Sequence, residues 1–196
     1  MTETPPTAPN ADTLAAAAKA AGKGRGPAPV HLWNPPFCGD LDMRIARDGS
    51  WWYLGTPIGR PALVKLFSSI LKLEDGKYFL VTPVEKVGIR VDDAPLFIED
   101  IATQGTGRDQ SVTVTTRTED TAVIGPDHPL RVERDAKTGE PSPYVLIRTN
   151  LWARVDRKSF FRLVDLCCHE VQDGDSWFGL WSRGTFFPVI PSSELT

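Results

Sequence analysis

The chain has 196 residues, of which 41% are hydrophobic and 24% charged, an ordinary composition for a soluble globular protein. Its net charge of -3 gives no overall attraction to nucleic acid, and no apolar run approaches the roughly 20 residues that a membrane-spanning helix needs. The first residues lack a basic region followed by a long apolar core, so we expect no secretory signal and a cytoplasmic location.

Three cysteines, Cys38, Cys167 and Cys168, do not make a disulfide framework. The run "CCHE" that contains the last two suggests a metal site. Neighbouring residues on a helix point about 100° apart and rarely share a metal, and the chain has no CxxC motif. We therefore predict no metal site and expect Cys167 and Cys168 to be core residues on one face of a helix.

Residues 1–29 are rich in proline, alanine and glycine and carry little apolar surface to bury. We predict a disordered tail there, with a short helix around Leu14–Ala21 as the only regular element that the pattern suggests.

Ordered structure is predicted from residue 30. Residues 41–45 alternate apolar and charged side chains, the pattern of a half-buried strand, and Asp48-Gly49 leads into a returning strand, Ser50–Leu54. Pro61 suits the first turn of a helix over 61–72, whose apolar stripe is Leu63, Leu66, Phe67, Ile70 and Leu71. Further strands are predicted at Tyr78–Thr82, Val87–Val91 and Leu96–Ile101.

The second half follows the polar segment "TQGTGRDQ", where we place a domain boundary after residue 104. Strands are predicted at Val112–Arg117, Ala122–Ile124, Leu130–Glu133 and Tyr144–Arg148. A second helix is predicted over 156–169, with Asp156 as its cap.

This second helix stands 97 positions after the first: Ile58, Arg60, Leu63, Leu66 and Phe67 correspond to Val155, Arg157, Phe160, Leu163 and Val164. Asp75-Gly76 recurs as Asp173-Gly174, with Trp177 and Phe178 behind it. Amphipathic helices share apolar spacing by physical necessity, which is the alternative explanation. The common order of the helix, the turn and the aromatic strand favours a duplication.

The candidate functional residues of the first half are Trp33, Asn34, Asp40, Asp42, Arg60, Glu85 and Lys86. Asp40 and Asp42 are two apart on a strand and share a face, where paired carboxylates can hold Mg²⁺ or transfer protons; a solvated strand face is the alternative. Arg60 and its counterpart Arg157 present a planar fork that fits carboxylate or phosphate, and a structural salt bridge explains either equally well. Glu85-Lys86 suggests a strand edge that faces a partner, or an ordinary exposed ion pair.

The segment "WSRGTFFPV" places Arg183 between Trp181 and two phenylalanines. Together with Trp177, these side chains could stack a nucleobase and hold a phosphate, although core packing is the favoured alternative. The chain has no GxSxG, P-loop, GxGxxG or HExxH motif. We therefore favour a non-enzymatic function and assign no cofactor.

The segments "HLWNPPFCGDLDMRI", "GSWWYLGTPIGRPALVKLFSSIL" and "YFLVTPVEKVGIRVDDAPLFIED" resemble a proteobacterial family known as domain of unknown function 1285, from about residue 30 to the end. The resemblance implies two small α+β domains related by duplication, the second similar to a pleckstrin-homology fold. It also implies a nucleotide-type ligand at the interdomain cleft and a role in signalling, with a protein partner. The first-half candidate residues match the family motifs as they stand.

We thus expect a tail over 1–29 and two α+β domains, 30–104 and 105–196, each an antiparallel sheet with one main amphipathic helix. The leading function is a cytoplasmic sensor or adaptor that binds a small anionic, nucleotide-like ligand. In it Arg60 or Arg183 meets the phosphate, and Trp177 or Trp181 offers a stacking face. The alternatives are a metal-assisted hydrolase that uses Asp40, Asp42 and Glu85, and an interaction scaffold with exposed strand edges.

Overall fold

A computed structural model describes residues 9–22 and 28–195 of the chain. It divides into two compact units between Pro95 and Leu96, nine residues before the boundary expected at 104/105. The strand Leu96–Gln104 accounts for the difference, because it pairs on both sides with strands of the second unit.

The N-terminal unit contains two helices, α1 (Ala11–Ala21) and α2 (Pro61–Ser69). Its six strands are β1 (Phe37–Ile45), β2 (Trp51–Tyr53), β3 (Thr56–Pro57), β4 (Leu71–Glu74), β5 (Lys77–Val81) and β6 (Lys86–Val91). They form one sheet in the order β3-β2-β1-β6-β5-β4. The central pair β1–β6 is parallel and the other pairs are antiparallel. The sheet is therefore mixed, because α2 and the β4–β5 hairpin form the crossover that brings β6 beside β1 in the same direction.

The buried face of this sheet follows from the alternation in β1. Leu41, Met43 and Ile45 are buried and the charged residues between them are exposed, which confirms the predicted half-buried strand. Trp51 of β2 stacks on Phe67 of α2 with ring centroids 6.3 Å apart, and this contact joins the helix to the sheet.

Helix α1 lies inside the segment expected to be a tail; it includes the short helix suggested around Leu14–Ala21 and begins three residues earlier, at Ala11. The side chain of Asn10 caps the helix by accepting hydrogen bonds from the backbone N–H groups of Asp12 and Thr13. Leu14 and Ala18 are each 1% exposed, because their spacing places them on one face, which packs against α2. Residues 1–8 and 23–27 of the predicted tail lie outside the described residues.

The C-terminal unit contains α3 (Arg157–Val164) and two sheets. The larger sheet has the order β10-β11-β12-β7-β8-β9, and only its β7–β12 pair is parallel. Its strands are β7 (Leu96–Gln104), β8 (Ser111–Thr116), β9 (Thr121–Val123), β10 (Leu130–Arg134), β11 (Pro141–Arg148) and β12 (Leu151–Val155). The smaller sheet is an antiparallel meander of β13 (Cys168–Gln172), β14 (Asp175–Ser182) and β15 (Thr185–Pro191).

The two units are tandem domains that repeat one segment, a helix followed by a three-stranded antiparallel meander. The strand after α2 begins at Leu71 and the strand after α3 begins at Cys168, which keeps the spacing of 97 residues. Asp75-Gly76 and Asp173-Gly174 both form turns with positive φ at both residues, so the predicted correspondence of the two turns is confirmed.

The two helices are shorter than expected, and the placement of Cys167 and Cys168 on a helix face is wrong. Helix α3 ends at Val164, Cys167 follows it partly buried, and Cys168 is an exposed first residue of β13. Two consecutive apolar residues fit the end of a helical stripe as well as the start of a strand, so the pattern did not separate the two structures.

Candidate functional site

The C-terminal unit has a cavity of about 440 Å³ at one end of its larger sheet. Thr113 of β8 and residues 121–123 of β9 form one wall, and the turn that follows β9 forms another. Arg183 completes the lining from the smaller sheet. The volume falls within the usual range of small-molecule sites.

Arg183 is held in place by a turn that is unusual for its residue type. Arg183 and Gly184 connect β14 to β15, and both have positive φ, at 51° and 71°. Such a turn favours Asn-Gly or Asp-Gly, since other L-residues lose about 1–2 kcal/mol in the left-handed region. The backbone N–H of Arg183 donates to the Gln110 carbonyl at 2.9 Å, which fixes the turn against the start of β8.

The residue before the turn anchors the same hairpin more deeply. Ser182 is fully buried, and its Oγ donates to the carbonyl of Ile124 at 2.6 Å. The same oxygen accepts from the backbone N–H of Val112 at 3.0 Å. One hydroxyl therefore joins β14 to β8 and to the end of β9, and positions Arg183 over the cavity.

The aliphatic part of the Arg183 side chain lies over Gly125. A Cβ at Gly125 would lie 3.4 Å from Cδ of Arg183, an ordinary contact distance, so the Arg183 side chain passes close to the Gly125 backbone. Within the described part of the chain Arg183 forms no ion pair or side-chain hydrogen bond, so its five N–H donors are available to a ligand.

His128 lies in the cavity lining, and a hydrogen bond fixes the tautomer of its imidazole ring. Its Nδ1 lies 2.9 Å from the carbonyl oxygen of Leu146, and a carbonyl only accepts, so Nδ1 carries the proton. In the neutral ring Nε2 is therefore an acceptor. The hydroxyls of Thr113 and Thr121 and the carboxylate of Asp127 add further polar groups. The lining thus combines one free guanidinium, which can bind an anionic group, with hydroxyl, imidazole and carboxylate groups, which can hydrogen-bond to hydroxyls of the same ligand.

Neither predicted stacking residue lines this cavity. Trp181 lies between Phe186, at 5.4 Å between ring centroids, and the guanidinium of Arg108, 4.8 Å from its ring centroid. Its Nε1 is buried without a hydrogen-bond partner. Trp177 is half-buried in β14, with Glu170 and Pro191 as its strand partners. Both rings thus take part in the packing of the smaller sheet.

The carboxylates proposed for a metal-assisted hydrolase lie in the N-terminal unit. Asp40 and Asp42 are exposed on the same face of β1, as the sequence predicted. Glu85 is in the turn between β5 and β6, where partial burial raises the pKa of its carboxyl group. In residues 9–22 and 28–195, no three histidine, cysteine or acidic side chains lie together in a metal-binding group.

Lys86 pairs with Glu74 rather than with its neighbour Glu85. Its Nζ lies 2.8 Å from Oε2 of Glu74, and the Nζ of Lys72 lies 2.8 Å from Oε1 of the same carboxylate. Hydrogen bonds from both ammonium groups lower the pKa of Glu74. Lys86 also lies over the ring of Phe79, 5.0 Å from its centroid.

The remaining predicted residues lie elsewhere. Trp33 is half-buried after a short 3₁₀ turn, and Asn34 next to it is exposed. Arg60 is exposed at the start of α2, whereas Arg157 is the exposed first residue of α3, with its guanidinium 5.7 Å from the ring centroid of Phe161. None of these four lines the cavity beside Arg183.

Sequence reasoning missed most of the cavity lining. His128 and Asp127 lie in "GPDHP". The glycine and prolines of this segment predict a turn, but they do not show which residues lie beside that turn in the folded chain. The threonines of β8 and β9 read as ordinary strand residues. Only Arg183, with its aromatic neighbours, carried a signal that could be found in one sequence.

No described helix is long and apolar enough to cross a membrane. The family model described as "Domain of unknown function (DUF1285), N-terminal domain" matches residues 28–94, and the model for the C-terminal domain of the same family matches residues 95–189. No curated protein matches the chain.

Two solved structures are similar to the chain. A DUF1285 family protein from Silicibacter pomeroyi DSS-3 is 60% identical, with a TM-score of 0.84, over 93% of this chain and 97% of that chain. A DUF1285 family protein from Shewanella baltica OS155 is 30% identical, with a TM-score of 0.51, over 64% of this chain and 91% of that chain.

Proposed function

Because the chain belongs to the DUF1285 family of proteins of unknown function, we propose a function from its own geometry: it is a small-molecule-binding sensor whose C-terminal unit holds an anionic ligand beside Arg183. The setting we propose is the cytoplasm, where ligand binding would be relayed to a signalling partner. The single observation that carries the proposal is an arginine in a left-handed turn position at the mouth of a polar cavity.

The position of Arg183 is costly for the fold and useful for binding. Asparagine or glycine would adopt the same turn with less strain. Residues kept in strained conformations tend to occur where the side chain has a function. The guanidinium is uncompensated within the described residues, so an incoming anion gains charge-assisted hydrogen bonds without first breaking an existing ion pair.

The polar groups on the rest of the lining indicate the ligand class. Thr113, Thr121 and the acceptor Nε2 of His128 suit a ligand that carries hydroxyl groups. A sugar phosphate or the phosphoribosyl part of a nucleotide has such a composition. Among the described residues no phenylalanine, tyrosine or tryptophan belongs to the lining, so the imidazole of His128 is the one aromatic ring of the lining beside a nucleobase.

A thermal-shift series tests the proposal, because a ligand that binds the native state raises Tm by mass action. The probes are inorganic phosphate, ribose 5-phosphate, AMP and GMP at equal concentrations. We expect ribose 5-phosphate and the two nucleotides to raise Tm to similar extents, and phosphate to raise it less. A response to nucleotides alone would contradict binding through the sugar phosphate, and no response to any probe would overturn the proposal.

Arg183→Asn is the decisive variant, since asparagine fits the turn and removes the charge. We expect Tm without ligand to stay the same or rise, while the affinity falls at least tenfold, in line with the roughly 1.5–3 kcal/mol of a charged hydrogen bond. The matched control is Arg60→Gln, which removes an exposed arginine of the N-terminal unit and should leave binding unchanged. Full binding by Arg183→Asn would refute the site.

A further inference from the structure

The N-terminal unit has a second cavity, of about 260 Å³, on the open face of its sheet. Gly88 in the central strand β6 forms its floor, with Asp40 of β1 and Phe79 of β5 as the paired residues on either side. A Cβ at Gly88 would overlap Oδ1 of Asp40 and lie 3.7 Å from the ring of Phe37. The carboxylate of Asp40 therefore occupies the notch that the missing side chain leaves.

Cations accumulate at the other end of the same cavity. Arg44 of β1 pairs with Arg90 of β6. On the other side, Tyr78 of β5 pairs with Ile89, so Lys77 and Arg90 are the next residues along this antiparallel register, and both line the cavity. Like charges directly opposite each other on neighbouring strands are destabilising. Such a violation of a local rule is expected at functional sites.

The nearby carboxylate does not neutralise the whole row. Asp92 forms a two-pronged ion pair with Arg44, and the hydrogen bonds from Arg44 lower the pKa of Asp92. Arg90 lies 3.9 Å from Asp92 and keeps 69% of its side chain exposed. Within the described residues Lys77 has no ion pair. Lys77 and Arg90 are therefore the cations that a ligand could reach.

Asp40 lies away from these cations. Within residues 28–195 it has no ion-pair partner, so its carboxylate is also available. Gly88, beside Asp40, and Arg90 are two residues apart on β6, a separation of about 7 Å along the strand. The cavity thus offers a carboxylate at one end and two cations at the other, and Phe79 also belongs to its lining.

We propose that this cavity binds a small zwitterion, a short amino acid whose carboxylate meets Lys77 and Arg90 and whose ammonium group meets Asp40. The volume lies below the usual 300–1,000 Å³ of sites for drug-sized ligands, which favours a molecule of a few non-hydrogen atoms. This site is independent of the anion site beside Arg183, so either proposal can fail without the other.

NMR titration of the ¹⁵N-labelled full chain tests the proposal with three matched probes. β-Alanine carries both charges, propionate only the negative charge and propylamine only the positive charge. We expect β-alanine to shift the amide signals of Phe79, Gly88 and Ile89, with binding at least tenfold tighter than that of either single-charge probe. Equal binding of propionate and β-alanine would overturn the zwitterion assignment, and so would the absence of shifts at these amides.

Gly88→Ala fills the notch and displaces the carboxylate of Asp40 without changing any charge. The overlapping atom is the end of the exposed Asp40 side chain, which can swing away, so the variant should fold. We expect it to lose β-alanine binding, whereas Gly59→Ala, at a position with open space around it, should retain it. Arg90→Gln should weaken β-alanine at least tenfold and leave the already weak propylamine unchanged. Unaltered β-alanine binding in Gly88→Ala would refute the site.

Discussion

Ser182→Ala is the sharpest test of how the C-terminal unit is held together. The serine Oγ donates to the Ile124 carbonyl at 2.6 Å and accepts from the Val112 N–H at 3.0 Å. Ser182, Val112 and Ile124 are all fully buried, so water cannot replace the lost hydroxyl. The substitution therefore leaves one donor and one acceptor of the backbone without this partner.

Each buried polar group left unsatisfied costs about 1–3 kcal/mol, so we expect Ser182→Ala, which leaves two such groups, to lower the free energy of unfolding of the C-terminal unit by about 2–6 kcal/mol. Urea denaturation measures the loss, and hydrogen exchange should show reduced protection of the Val112 amide. The control is Ser176→Ala, since Ser176 is exposed and its Oγ contacts only Ser192 among the described residues; we expect a change below about 0.5 kcal/mol. A loss of that small size in Ser182→Ala would show that the hydroxyl does not join the two sheets.

Three further predictions concern other parts of the chain. Leu14→Ala should lower the free energy of unfolding by about 2 kcal/mol. This is the lower end of the range for buried leucines, because α1 can undock and so limit the loss of stability. Urea denaturation measures the change, and an unchanged free energy of unfolding would show that α1 adds no stability. The lowered pKa of Asp92 means that its ion pair with Arg44 contributes fully to stability above about pH 4 and that this contribution is lost as the pH falls through the lowered pKa. Arg44→Gln should therefore reduce the fall of the free energy of unfolding in acid. The same slope of this free energy against pH in wild type and variant would contradict the pairing. Burial raises the pKa of Cys167 to about 12, so iodoacetamide at about pH 8.5 should alkylate the exposed Cys168 first. Mass spectrometry measures the rate of alkylation at each cysteine. Equal rates at Cys167 and Cys168 would contradict the burial of Cys167.

The repeated segment shows which part of the fold the sequence could predict. The Asp-Gly turns at residues 75–76 and 173–174 and the strands that follow them depend on local rules, because only particular residues accept positive φ and apolar alternation marks a buried face. The spacing of 97 residues survives in the structure for the same reason. Helix ends were less certain, since Leu71 and Cys168 begin strands where an apolar stripe suggested a longer helix.

Strand order and the candidate sites required the tertiary structure. The parallel pair β1–β6 joins residues more than forty positions apart, and no local pattern records which strand lies beside which. The notch at Gly88 exists only because β1 and β5 place Asp40 and Phe79 on either side of it. The sequence singled out Asp40 as a candidate but could not show that Arg90 and Lys77 lie at the other end of the same cavity.

Arg183 separates the two kinds of information most clearly. An arginine-glycine turn after an aromatic strand can be recognised from the sequence alone, because these residues are neighbours in the chain. The docking of this turn through Ser182 and Gln110, and the position of the Arg183 side chain beside Thr113 and His128, depend on the packing of the folded chain. Hydrogen bonds between residues about seventy positions apart create that arrangement, and such pairing depends on the packed fold rather than on the local sequence.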